Sequence, residues 1–170
     1  IGYCGHLLHG RKKYLQLFYK NSNIIKCNFI LRRGFWAPGI DKRKAVLDFH
    51  NNIKDNIFIF CYRGAGNFSY RFYQTLMMGR IPILINTDCV FPFENKYNLN
   101  DLGVIIDEKD LLNGKKYLIN EIVNYYNNTN LIEKQKQNRK IWEIYFSPVG
   151  FCKNLLNDYL NYTSKEYCSL

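Results

Sequence analysis

Between Cys61 and Pro92 the chain reads CYRGAGNFSYRFYQTLMMGRIPILINTDCVFP, where two arginines, Arg63 and Arg71, bracket Gly64, Gly66, Asn67 and Ser69. Guanidinium groups present forked donors that match phosphate or carboxylate oxygens. Gly64 and Gly66 let the backbone approach a diphosphate without side-chain interference. Ser69 can cap a helix beginning near Tyr70 and also reach a phosphate oxygen. A strand that ends in such a loop and feeds a helix start aims unpaired N–H groups and the positive end of the helix dipole at one point, and that point attracts phosphate. Each residue also has a plainer use. The glycines can make a tight turn, since their spacing is neither GxGxxG nor a P-loop; Ser69 can be a cap alone, and Arg71 a surface arginine. Their convergence at the carboxyl end of a central strand favours anion binding, because open α/β sheets bind ligands there. The residues by themselves carry the reading as far as a phosphate-bearing ligand.

The elements that must position this group alternate between strand and helix, which predicts an α/β domain with a doubly wound, mostly parallel sheet and helices on both faces. Strands are expected at Ile1–Gly5, Ile25–Leu31, Ile57–Cys61, Ile81–Ile85 and Gly103–Ile106. Ile57–Cys61 is apolar without alternation, the mark of a strand covered on both faces, and is placed at the sheet centre. Helices are expected at Arg11–Tyr19, with Tyr14, Leu15, Phe18 and Tyr19 on one side, and at Lys42–Asn51, with Val46, Leu47 and Phe49. Another runs from Tyr70 to Met78, capped by Ser69 and ended by Gly79. Leu111–Tyr126 and Leu131–Phe146 follow, the latter stopped by Pro148 and Gly150, with a shorter piece at Lys153–Tyr159. Residues 1–147 form the main lobe and 148–170 a helical extension of it. Residues 32–40 read as a loop.

The 170 residues, 47% hydrophobic and 16% aromatic, can bury a sizeable core without repeats or linker-like tracts. The formal charge of +10 suits a polyanionic partner and equally a solvated basic exterior. No RNP-like, zinc-finger or basic-helix motif accompanies it, which argues against nucleic acid. The six cysteines, Cys4, Cys27, Cys61, Cys89, Cys152 and Cys168, show no CxxC pair; four of them lie beside apolar strand-like runs and read as small buried hydrophobes, though an even count permits disulfides. His6 and His9 have helical chelating spacing, but glycines bracket them and no carboxylate is near, so no metal is expected. Gly5 and His6 follow the first strand and are candidates to line a cleft. Asp88 and Glu94 flank the Phe91–Phe93 turn and can face a ligand or solvent. Trp142, Tyr145 and Phe146 read as a packed helix face. Three sequons begin at Asn67, Asn127 and Asn161; a glycan at the first would obstruct the proposed phosphate loop. No apolar stretch has the length of a membrane-spanning helix, and the chain, beginning with Ile, reads as an excerpt.

The run RGAGNFSYRFYQTLMMGRIPILI, then Pro92–Phe93–Glu94, then IWEIYFS at Ile141–Ser147, resembles in order the donor-binding half of the exostosin (family 47) glycosyltransferases. The resemblance implies a GT-B architecture, two Rossmann-like lobes facing across a cleft, with this chain as the C-terminal, nucleotide-sugar-binding lobe and the acceptor lobe outside it. By position, Arg63 and Arg71 match the family's diphosphate-binding arginines. Gln74 falls where the family usually carries a ribose-binding glutamate; it can still accept a hydroxyl's hydrogen bond but is neutral.

The implied activity is transfer of a sugar, with inversion, from a nucleoside diphosphate sugar, in the first instance a UDP-sugar, to a glycan or glycoprotein acceptor. No cofactor is implied beyond that co-substrate, and the general base is expected on the facing lobe. The alternative from another class is a non-catalytic module that binds a nucleotide or acidic glycan. The resemblance points to the Golgi or another secretory-lumen membrane, and a viral or microbial origin would point to the cytoplasm instead.

Overall fold

The computed structural model describes residues 1–8, 10–34, 37–113 and 116–167; His9 and Cys168 lie outside them, as do Phe35 and Trp36 of the expected 32–40 loop. Five parallel strands form one sheet: β1 (Gly2–His6), β2 (Asn28–Arg32), β3 (Phe58–Cys61), β4 (Ile81–Asn86) and β5 (Val104–Asp107), in the order β2-β1-β3-β4-β5. This is the Rossmann-like arrangement expected, with β3 in the middle. Six α-helices accompany it: α1 (Arg11–Lys20), α2 (Lys42–Lys54), α3 (Tyr70–Met77), α4 (Lys116–Asn128), α5 (Leu131–Ile141) and α6 (Pro148–Tyr167).

The period-two alternation of β3 divides the core. Phe58 and Phe60 point to one face, where they pack with Tyr14, Leu15 and Phe18 of α1 and with Leu118, Ile119 and Ile122 of α4. Ile59 and Cys61 point to the other, against Ile53 of α2 and Phe72 and Leu76 of α3. Phe60 is fully buried and meets Phe18 edge-on at 5.3 Å and Tyr14 at 5.9 Å, so one central-strand ring anchors α1. Cys4 and Cys61 are buried and behave as small hydrophobes, and burial pushes the Cys61 thiol up to about 12.

Several boundaries differ from the sequence reading. Tyr19, Val46 and Leu47 are exposed, because α1 and α2 each press a narrower stripe on the sheet than the apolar count suggested. In α2 that stripe is Ala45, Asn52 and Ile53, with the Asn52 amide donating to the Asn28 carbonyl at 2.9 Å. Leu111 lies in a 3-10 segment, Glu108–Asn113, and α4 starts only at Lys116. The expected Leu131–Phe146 helix widens into a π turn at Trp142–Phe146. Pro148 does not merely end that helix; it occupies the first position of α6, where a missing N–H costs nothing, and Gly150 lies inside α6. A Cβ at Gly150 would stand 2.3 Å from the Glu143 carbonyl oxygen, so glycine allows α6 to seat on the π turn.

Asn138, fully buried on α5, donates to the carbonyls of Arg80 (2.9 Å) and Leu102 (2.8 Å) and ties that helix to the amino ends of β4 and β5. None of the helices over the described residues is long and apolar enough to cross a membrane. At the amino end of β5 the backbone is tightest. A Cβ on Gly103 would lie 2.3 Å from the Pro82 carbonyl oxygen on the neighbouring strand, an atom that cannot retreat without breaking the sheet. Gly103→Ala is expected to cost about 2–3 kcal/mol of stability by overpacking, seen as a lower urea midpoint at unchanged m-value; an unshifted midpoint would show that the strands can separate there.

Candidate functional site at the split between β1 and β3

The chain leaves β1 toward β2 on one side and returns to β3 on the other, so β1 and β3 form the topological switch point of the sheet. Open α/β sheets bind ligands in the crevice at such a point, outside the carboxyl ends of the strands. The pairing is weakest at this point. β1 pairs with β2 along its whole length, from Gly2 opposite Asn28 to His6 opposite Arg32, whereas with β3 the register is Gly2 opposite Ile59 alone. Alternate residues of a strand turn their carbonyls the same way, so Cys4 and His6, like Gly2, offer carbonyl oxygens on the β3 side.

Arginines fill the split. Arg71, in the first turn of α3, donates through Nη2 to the Cys4 carbonyl at 2.7 Å, its guanidinium carbon 4.3 Å from the centre of the Tyr3 ring. Gly5 makes this possible, since a Cβ there would be 2.8 Å from that same Nη2. Arg11, in the first turn of α1, donates to the His6 carbonyl at 3.2 Å and to the Arg63 carbonyl at 2.7 Å, joining the ends of β1 and β3. Arg63 itself is half-buried, and its guanidinium has no protein acceptor among the described residues. Nor does any of the three form an ion pair among the described residues. Three half-buried cations with no carboxylate partner leave a strongly positive crevice, and burial of unpaired charge is costly unless an anion completes it.

The predicted residues separate into those at the crevice and those beside it. Gly5, His6, Arg63 and Arg71 meet at the split; the Nδ1 atom of His6 is buried there without a partner. Gly64 donates its N–H to the Phe68 carbonyl at 2.9 Å, closing the loop on itself, and a Cβ at Gly66 would strike the Phe68 ring at 2.8 Å. Ser69 is the N-cap residue of α3 and is buried, but its hydroxyl makes no cap hydrogen bond. Asn67 turns away from the split: its amide donates to the Thr87 (2.8 Å) and Asp88 (3.0 Å) carbonyls and accepts from the Thr87 hydroxyl at 2.5 Å, lashing the glycine loop to the turn after β4. Asp88 sits in that turn with left-handed backbone and an exposed side chain. Glu94 folds onto its own loop, accepting from the Phe91 N–H at 3.3 Å. Gln74 lies one helical turn beyond Arg71 on the same side of α3, half-buried.

Two features escaped the sequence reading. Arg11 is one; the signal was available in a cation directly after the glycine that follows the first strand. The other is a knot at the end of β5, where one oxygen of Glu108 accepts from Lys13 Nζ and from the hydroxyls of Tyr14 and Tyr62, each at 2.8 Å. It joins α1, the end of β3 and the end of β5 beside Arg63. Burial, then the bond to Glu108, pushes the Tyr62 phenol up to about 12. For Glu108, burial alone would raise the carboxyl; hydrogen bonds from Lys13, Tyr62 and Tyr14, together with the Lys13 charge, overcome it and hold the group below its ordinary 4.5. Nothing in the order of residues places these four together.

The fold thus defines a Rossmann-like domain with an arginine-lined crevice at its switch point. Over 102 residues, 60% of this chain, the sequence is 28% identical to Exostosin-1 of Drosophila melanogaster. It is 33% identical over 63 residues, 37% of the chain, to the probable beta-1,4-xylosyltransferase IRX10L of Arabidopsis thaliana, and 27% over 88 residues, 52% of the chain, to the probable glucuronosyltransferase 47 A of Physcomitrium patens. No family model matches. The matches cover 13%, 15% and 18% of those three proteins, so the chain spans well under two thirds of the length of its curated relatives. The expected likeness to the exostosin glycosyltransferases is borne out, over part of the chain, by these relatives.

Because Glu108 has a lowered carboxyl pKa in the folded state, the stability it contributes is full above its unfolded value near 4.5 and is lost as pH falls through the folded value. Glu108→Ala, which strands two tyrosine hydroxyls, is expected to cost about 2–3 kcal/mol at neutral pH. The gap between the two proteins in chemical denaturation should narrow below about pH 4; a gap independent of pH would deny the carboxylate its role in the knot.

Proposed function

We propose that this chain is the donor-binding lobe of an exostosin-like, inverting glycosyltransferase, and that the β1–β3 crevice holds the diphosphate of a nucleoside diphosphate sugar, with a UDP-sugar as the first candidate. The observation that carries the reading is the set of guanidiniums at the switch point that have no carboxylate partner among the described residues, with Arg63 also lacking a protein acceptor there. The similarity to exostosin, xylosyltransferase and glucuronosyltransferase sequences supports the same reaction class.

In this reading the acceptor hydroxyl oxygen attacks the anomeric carbon from the side opposite the diphosphate. The bond from that carbon to the β-phosphate oxygen breaks, its electron pair leaves with the diphosphate, and the configuration inverts. Arg63 and Arg71, with the α3 amino end, stabilise the negative charge that grows on the departing group, and they do so in a preorganised, half-buried setting where such donors act most strongly. The cations on the chain supply this neutralisation without a cofactor. The acceptor's proton passes to a general base on a facing lobe. Gln74 favours a second reading, a lobe that grips a nucleotide or an acidic glycan without turnover, because a neutral amide there holds a ribose less firmly than a carboxylate.

Isothermal titration with UDP and GDP tests the donor site, followed by a donor-hydrolysis screen across uridine and guanosine diphosphate sugars to divide enzyme from binder. Arg63→Ala should weaken diphosphate binding about 10- to 100-fold, as loss of a charge-assisted contact implies, and abolish any turnover. Binding of short oligonucleotides with strong salt dependence, and no response to either nucleoside diphosphate, would refute the transferase reading.

A further inference from the structure

We propose that Arg11 is a positioning residue of this site: by bridging the carbonyls of His6 and Arg63 it sets the distance between the β1 and β3 ends, and with it the geometry in which a diphosphate is held. The inference rests on the diphosphate reading above and concerns a residue on a different element, α1, on the opposite face of the sheet from α3.

Three observations carry it. First, past Gly2 and Ile59 no ladder register joins β1 to β3, so the crevice walls are fixed by side chains and not by the sheet. Second, Arg71 donates only to the β1 side, at Cys4, whereas Arg11 is the one guanidinium among the described residues that donates to both, with Nη1 on the His6 carbonyl at 3.2 Å, which the Tyr3 hydroxyl also reaches at 2.5 Å from within β1, and Nη2 on the Arg63 carbonyl at 2.7 Å. Third, the residue that Arg11 grips by its carbonyl is Arg63, whose own guanidinium has no protein acceptor among the described residues; the strap therefore acts on the backbone of the group that faces the ligand.

A forked planar guanidinium can serve two diverging carbonyls at once, which a single ammonium centre does not reproduce. Displacement of a binding group by about 1 Å is enough to degrade a preorganised site. Arg11 also places a third positive charge at the crevice, so the test must separate charge from geometry. Arg11→Lys keeps the charge and removes the fork.

The experiment is calorimetric titration of the chain with inorganic pyrophosphate, comparing the unaltered protein with Arg11→Lys, Arg11→Ala and Arg63→Ala, each checked for native thermal unfolding. Arg11→Lys is expected to bind pyrophosphate about tenfold more weakly while keeping the slope of log K against log salt. Millimolar guanidinium chloride should restore much of the binding of Arg11→Ala and none of that of Arg63→Ala measured alongside. Pyrophosphate binding by Arg11→Lys equal to that of the unaltered chain, with Arg63→Ala impaired, overturns the positioning role alone. If Arg11→Ala does not fold, Arg11→Lys decides the matter by the same comparison. Absence of pyrophosphate binding by the unaltered chain overturns both this role and the diphosphate reading.

Discussion

The separation of β1 from β3 is the constraint on which the rest of the site depends. In a continuous parallel ladder the carbonyls of Cys4 and His6 would be satisfied by the next strand. Here the ladder stops after Gly2, and those two oxygens are met by side chains instead, that of Cys4 by Arg71 and that of His6 by the Tyr3 hydroxyl and Arg11. Replacing backbone donors by guanidiniums keeps the polar bookkeeping of the sheet intact while importing positive charge to the strand ends. Structure and electrostatics are thus one feature: the same hydrogen bonds that satisfy these carbonyls gather positive charge at the strand ends.

The surroundings keep that charge from being cancelled. The half-buried carboxylate of Glu108 is engaged on one oxygen by Lys13, Tyr14 and Tyr62, and so is held on the α1 face. Asn67 fastens the glycine loop to the turn after β4, which draws the exposed Asp88 to the edge of the region. Farther out, Phe93, Tyr97, Tyr145 and Phe146 stack the post-β4 loop onto the π turn, and the Tyr145 hydroxyl donates to the Lys96 carbonyl at 3.1 Å, giving the loop a firm footing. Rigid walls matter because a cluster of like charges repels itself and would otherwise spread apart.

Much of this was legible in the residues. Parallel α/β class, the central place of β3 and the position of Arg63 and Arg71 at its carboxyl end follow from uninterrupted apolar runs and from the arginine–glycine loop between strand and helix. The errors are instructive. Tyr19, Val46 and Leu47 have apolar side chains at helical spacing, yet they lie outside the stripe that meets the sheet, because periodicity fixes a face only to within a residue or two and packing selects among the candidates. Pro148 looked like a terminator because proline ends helices; it also begins them, and local sequence does not tell which side of the proline is helical. Asn67, grouped with the ligand contacts for its place in the loop, spends its amide on Thr87 and Asp88.

By itself, the sequence determined the class of fold, the strand at the sheet centre and the arginine–glycine loop that follows it, because these depend on local period and on residue types within one short run. Only the tertiary structure decided where the sheet opens, that Arg11 spans the opening, and that Glu108 meets Lys13, Tyr14 and Tyr62. Those contacts join residues 46 to 95 positions apart along the chain, and which strand ends come together is set by the crossover from β2 to β3 and by the packing of both faces, neither of which is written in any single segment.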